Sequence, residues 1–190
     1  MGEMRAGRPR ASSRSTLAEA ACELFLERGY AATSVNDIAV RAGVSRSSFF
    51  NYFSSKADIL WSGLDGRLED AVARLDGARA VPEALAEALA GFAPDSLALA
   101  IVNAEAMGIE DELAREGSVR RARIAQAVAR RLERDGMQAM RAEIAAAAYA
   151  AAVLSAVRSW AHDGAGRAPL APVMQRALAL VHSVVPDAPA

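Results

Sequence analysis

Apolar residues recur at helical spacing along most of the chain. Leu17, Ala20, Ala21, Leu24 and Phe25 share one face of a first helix that starts near Ser15 or Thr16, runs to Arg28 and stops at Gly29. Thr33 or Ser34 offers an N-cap for a short second helix over 35–42, closed by Gly43. Ser45 caps a third over 46–53, and Ser54 or Ser55 caps a fourth over 56–75. Gly63 and Gly66 lie inside that fourth segment, each costing about 1 kcal/mol against Ala, so a bend is expected there. Further helices are predicted over 82–92, from Pro94 in a first turn to Met107, over 118–134, over 138–162 and over 170–185, with Pro186 ending the last. No segment alternates with the period of a strand. The predicted fold class is all-α, with an N-terminal three-helix unit followed by a larger helical domain.

The first three helices and their tight turns form a helix-turn-helix. Ala39 and Gly43 are small where the second and third helices must approach, and Val44 plugs the turn. The third helix is polar on one side, with Arg46, Ser47, Ser48 and Asn51. Its aromatics, Phe49, Phe50 and Phe53, are expected to anchor it to the core. That division suits a recognition helix whose polar edge faces the major groove.

At this point a resemblance becomes specific. Ala21 to Tyr30 resembles the first-helix signature of TetR-type regulators, Thr33 to Ala39 their second helix, and Gly43 to Lys56 their third helix and the start of the fourth. The likeness is near-continuous over residues 14–60. Residues 1–13, basic and rich in Gly, Pro and Ser, read as a flexible arm, and the likeness implies a DNA-binding domain at 14–56 and a ligand-binding and dimerisation domain at 57–190. Carried over by position, it implies base contacts from Asn36, Arg46, Ser47, Ser48 and Asn51. It implies phosphate contacts from Thr33, Ser34, Ser45, Tyr52 and Lys56. The chain departs from the family at Phe50, where the family usually has Tyr with a hydroxyl that often touches phosphate.

Physical chemistry supports several of these roles independently. Arg46 is able to donate a bidentate pair to guanine, and Asn36 or Asn51 to pair with adenine. Lys56 sits at a helix start, where the macrodipole disfavours a cation and a nearby phosphate would offset that cost. Charge distribution agrees. Residues 1–56 carry eight basic and five acidic groups, against 14 and 18 in the remainder, although the whole chain is only −1. A basic end on a mildly acidic body suits a polyanionic partner.

The C-terminal segments point to self-association. Ala145 to Ala148 and Ala150 to Ala152 allow close helix approach. Met174, Leu178, Val181 and Val185 line one stripe of the last helix, with Ala177 and Val184 beside it. Two such helices fit a four-helix homodimer interface, and a palindromic operator needs two recognition helices held by a symmetric pair. The resemblance implies an effector cavity, with Trp61, Leu64, Phe92, Asn103, Met107 and Tyr149 as candidates for its lining and a hydrophobic small molecule as its occupant. The run Phe49 to Lys56 is similar to a subgroup linked to acyl-CoA-like ligands, and Arg120, Arg121, Arg123, Arg130 and Arg131 are candidates for an anionic head group.

Composition narrows the alternatives. Cys22 is the sole cysteine, so no internal disulfide forms. His162 and His182 make no zinc spacing, and no Gly-rich nucleotide loop or nucleophile elbow is present. No enzyme, cofactor or metal is expected. The apolar stretch from Ile144 to Val157 is shorter than the roughly 20 residues of a membrane span, and the N-terminus has no apolar leader, so a cytoplasmic protein is expected. The expected function is a DNA-binding transcriptional regulator, a repressor released by ligand. The alternative is a small-molecule-binding helical protein with a degenerate head.

Overall fold

The computed structural model describes residues 10–77 and 79–185, with the side chains of 10–13 and 184 left out. Residues 1–9 of the arm expected over 1–13, and Pro186, lie outside the described residues, while residues 10–13 open the first helix. Ten helices and no strand occur among the described residues, and their buried side chains form one core from Leu17 to Val181.

Helix α1 (Arg10–Arg28) buries the five expected residues and ends where Gly29 adopts φ +85°, with its N–H on the Phe25 carbonyl. It starts earlier than the Ser15–Thr16 cap signal predicts. Serine inside a helix costs only tenths of a kcal/mol, and Arg10, Ala11 and Arg14 are good helix formers. Arg14 also fastens this turn, donating to the Tyr52 carbonyl at 3.1 Å with its guanidinium 4.6 Å above the Phe53 ring.

Helix α2 (Val35–Arg41) is capped by Ser34 in a reciprocal box with Asp37. Gly43, at φ +68°, turns the chain into α3 (Arg46–Phe50), capped by Ser45. Helix α3 is shorter than the predicted span to Phe53. The chain leaves it because the Ser54 N–H is drawn to the Asp58 carboxylate at 2.7 Å, in the first turn of α4 (Lys56–Arg74). Helix α4 begins at the expected domain boundary and packs on α1 as well as on the body.

Helix α5 (Val81–Leu89) carries Pro82 in its first turn. The single helix expected from Pro94 to Met107 is two: α6 (Ser96–Val102) and α7 (Ala104–Met107). Asp95, not Pro94, starts α6, its carboxylate accepting from the Leu97 and Ala98 N–H groups. Asn103 separates the pair, its side-chain amide donating to the Leu99 carbonyl at 2.9 Å. Helix α8 (Glu110–Arg134) begins well before the predicted residue 118. Its first turn holds Glu110, Asp111 and Glu112, which favour the positive end of the helix dipole.

Helix α9 (Ala139–His162) is the central element, packed by α8, α10 (Leu170–Val184) and α6. It is long and apolar enough to cross a membrane by length and hydropathy, but half of its most apolar window is buried against these neighbours, as in a core helix. The α10 stripe of Met174, Leu178 and Val181 packs into the protomer core, whereas the sequence suggested an intersubunit face. Ala145, Ala146 and Ala150 likewise point inward. The outward faces carry Met140, Ile144, Ala147 and Ala151 on α9 and Leu180 on α10.

Candidate nucleic-acid interface and effector cavity

The outer edge of α3 presents Arg46, Ser47 and Asn51 to solvent, and Asn36 of α2 is exposed as well. Ser48 differs from these four. It is half-buried, and its hydroxyl lies 2.8 Å from Ser45 Oγ, within the cap that also accepts the Ser48 N–H at 3.1 Å. The inner edge buries Phe49 and Phe53 completely.

Phe50 does not join them and is 50% exposed, a correction to its expected core role. Residues four apart share a helix face, so position 50 follows Arg46 outward. The Arg46 guanidinium lies 5.9 Å from the Phe50 ring.

Two residues expected on phosphates are engaged within the protein. Thr33 is 1% exposed, and its hydroxyl bonds inward to the Gly29 and Leu24 carbonyls at 2.8 and 3.3 Å. It satisfies acceptors freed at the end of α1. Lys56 turns back rather than out: its ammonium donates to the Tyr30 and Thr33 carbonyls, 2.7 Å each, and sits 4.2 Å from the Tyr30 ring centroid. Partial burial lowers its pKa from the usual lysine value. The cation thereby leaves the positive end of α4 for the carbonyls between α1 and α2. Ser34 and Ser45 are exposed and Tyr52 is half-buried.

The same connection joins head to body. The Tyr30 N–H donates to the Met107 carbonyl at 2.7 Å, and the Tyr30 hydroxyl donates to Glu112 at 3.2 Å. Burial first, then the Glu112 charge, pushes the tyrosine pKa well above its ordinary value. The segment after α1 is thus tied to the end of α7 and the first turn of α8.

Behind that joint lies a half-open cavity of about 240 Å³ between α4, α6, α7, α8 and α9. Trp61, Ile101, Leu113, Leu154 and Val157 supply apolar walls, and Gly117 of α8 faces the Trp61 ring. Glu110, Arg121, Arg158 and His162 supply the polar lining.

Of the residues expected there, Trp61 alone lines this space. Leu64, Met107 and Tyr149 are fully buried core residues, and burial raises the Tyr149 pKa to about 12. Phe92 packs on Trp160 with ring centroids 5.6 Å apart, and Asn103 ends α6. Sequence reading missed the wall supplied by α8 because that helix was expected to begin only at residue 118, and Leu113, Ala114 and Gly117 lie before it.

The expected basic face of α8 is mostly neutralised. Arg120 holds Asp65 in a bidentate pair at 2.7 and 2.6 Å and lies 4.3 Å from the Trp61 ring centroid. Arg123 pairs with Glu69, and Arg131 is buried on the Leu75 and Gly77 carbonyls beside Asp135.

Comparison with known proteins agrees with this architecture. The family model described as bacterial regulatory proteins, tetR family, matches residues 17–61. The putative mycofactocin biosynthesis transcriptional regulator MftR of Mycobacterium tuberculosis is 33% identical over 93 residues, which is 47% of this chain and 47% of that protein. The HTH-type transcriptional activator FasR of Mycolicibacterium smegmatis is 30% identical over 164 residues, covering 82% of this chain and 75% of FasR. The crystal structure of NalD, the secondary repressor of the MexAB-OprM multidrug efflux pump in Pseudomonas aeruginosa, shares the fold with a TM-score of 0.58 at 22% identity, over 92% of this chain and 97% of that one. The helix-turn-helix, the helical body behind it and a relative matched over most of both chains make this protein a DNA-binding transcriptional regulator that belongs to the TetR family.

Proposed function

We propose that the chain works as a homodimeric repressor whose hold on a palindromic operator is released by a small molecule in the cavity. The outward edge of α3, with Arg46 and Asn51 exposed on a capped helix over buried Phe49 and Phe53, carries the reading. Arg46 pairs with guanine and Asn36 or Asn51 with adenine, while Ser47 gives a shorter polar contact. Exposed Phe50 suits a thymine methyl. Ser34, Ser45 and Tyr52 contact the phosphates and set the register. In this reading the regulator performs no catalysis and works on DNA in the cytoplasm.

Two-fold operator symmetry asks for two heads roughly 34 Å apart, and an α9–α10 four-helix interface between two copies supplies them. Met140, Ile144, Ala147 and Ala151 recur at helical spacing on the exposed side of α9, with exposed Leu180 on α10. The effector acts by wedging α4 from α8. Both helices are linked to the head, α4 through Lys56 and α8 through Glu112 and Tyr30. An occupant that favours the separated arrangement weakens DNA binding by its difference in affinity for the two states. An acyl-CoA-like occupant would place only its acyl end in 240 Å³ and leave the nucleotide outside.

Footprinting on DNA upstream of the chain's own and neighbouring genes tests the head, with sedimentation of the free protein testing the dimer. A protected palindrome overlapping the promoter is expected. No protected site at moderate salt refutes the regulator reading, a site wholly upstream of the promoter refutes repression, and a monomer refutes the interface.

A further inference from the structure

We infer that the cavity selects a small organic carboxylate with an apolar tail, an inference that rests on the cavity being the effector site. Size sets the first limit. A cavity of about 240 Å³ is smaller than the roughly 300–1,000 Å³ of pockets that bury a drug-sized molecule, so its occupant is small. The walls over most of that volume are apolar: Trp61, Leu113, Leu154 and Val157.

The charged groups on the lining set the second limit. On α8, Arg115, Arg120, Arg123, Arg131 and Arg134 all hold carboxylates. Of the two arginines on that helix that hold none among the described residues, Arg121 lines the cavity, as does Arg158 of α9, equally without an ion pair among the described residues; both are exposed at its mouth. Glu110 is the carboxylate on the same lining, so the two guanidiniums leave an excess positive charge, with His162 beside them.

An apolar slot with two guanidiniums without ion pairs at its mouth matches an acid whose tail enters and whose carboxylate stays among the cations. The charge sits directly at the end of the tail in a free acid, whereas a coenzyme A thioester is uncharged at that atom.

Calorimetry on the full-length protein with octanoate, octan-1-ol and octanoyl-coenzyme A separates these cases. Octanoate is expected to bind about ten-fold or more tightly than octanol. The double variant Arg121→Ala with Arg158→Ala should erase that preference and leave octanol binding unchanged. Ala114→Phe, which fills the cavity from an exposed lining position, should block both compounds. Equal affinity for octanoate and octanol, both blocked by Ala114→Phe, overturns the carboxylate and leaves the effector site standing. Binding of the thioester without the acid also overturns it. Undiminished binding of octanoate in the Ala114→Phe variant overturns the inference and the effector reading together.

Discussion

The carboxylate of Asp95 stands so close to Gly63 of α4 that no side chain fits between them: a Cβ on Gly63 would overlap Asp95 Oδ2. The carboxylate has little freedom to swing away, because Oδ1 accepts from the Leu97 and Ala98 N–H groups at 3.0 and 3.3 Å and so starts α6. Gly63→Ala gains about 1 kcal/mol of helix propensity and meets an overpacking cost of about 1–3 kcal/mol. The expected net effect is a lower Tm. A rise in thermal unfolding temperature would show that α4 and α6 part freely at this point.

Asp95 also makes stability depend on pH. Burial, opposed by its backbone hydrogen bonds, raises its pKa to about 6. The unfolded carboxyl titrates near its ordinary value of about 3.9, so between these limits the folded state binds more protons. This group's contribution therefore favours folding at the acid end and is lost as pH rises toward 6. Asp95→Asn keeps a capping oxygen and removes the buried charge. The variant is expected to match or exceed the parent in urea unfolding at pH 7.5, with the difference shrinking at pH 4.5. A variant that loses stability equally at both values would mean that the carboxylate is needed as an anion.

Legibility along the chain followed how local the determining forces are. The α2–α3 head was readable because Ser34, Asp37, Gly43 and Ser45 act within three or four residues of their partners. Phe50 was misjudged because aromatic composition outweighed spacing, and its distance of four from Arg46 held the answer. Thr33 and Lys56 look like groups that reach DNA, and only the folded course of residues 24–33 brings acceptors to them. The cavity was least legible. Its walls come from five helices, and which arginines of α8 are paired depends on Asp65 and Glu69 of α4.

Lys56 tests whether its inward hydrogen bonds persist on DNA. Lys56→Met keeps the aliphatic stem and strands the Tyr30 and Thr33 carbonyls, so a stability loss of about 1–3 kcal/mol is expected from denaturant unfolding. The slope of log K against log salt for operator binding should stay as in the parent. A slope shallower by about 0.9 for each lost contact would place the ammonium on a phosphate after all.

Arg46→Ala separates reading from holding. A lost guanine pair costs about 1–3 kcal/mol per head on the operator, while binding to unrelated DNA, governed by total phosphate contacts, falls much less. Titrations against operator and scrambled duplexes at one salt concentration measure the ratio. Equal losses on the two duplexes would demote Arg46 to a surface charge.

Phe50→Tyr asks whether the exposed ring lies against DNA. Half of the side chain faces solvent, so the added hydroxyl meets no packing obstacle and stability should stay within about 0.5 kcal/mol. On operator DNA the hydroxyl reaches the backbone from the same edge as Arg46 and adds a hydrogen bond of about 1 kcal/mol per head. Tighter binding to operator and scrambled duplexes alike is the expected result, since a phosphate contact carries no sequence information. Unchanged affinity for both would turn this face of the ring away from the backbone and leave Phe50 as an apolar contact to bases alone.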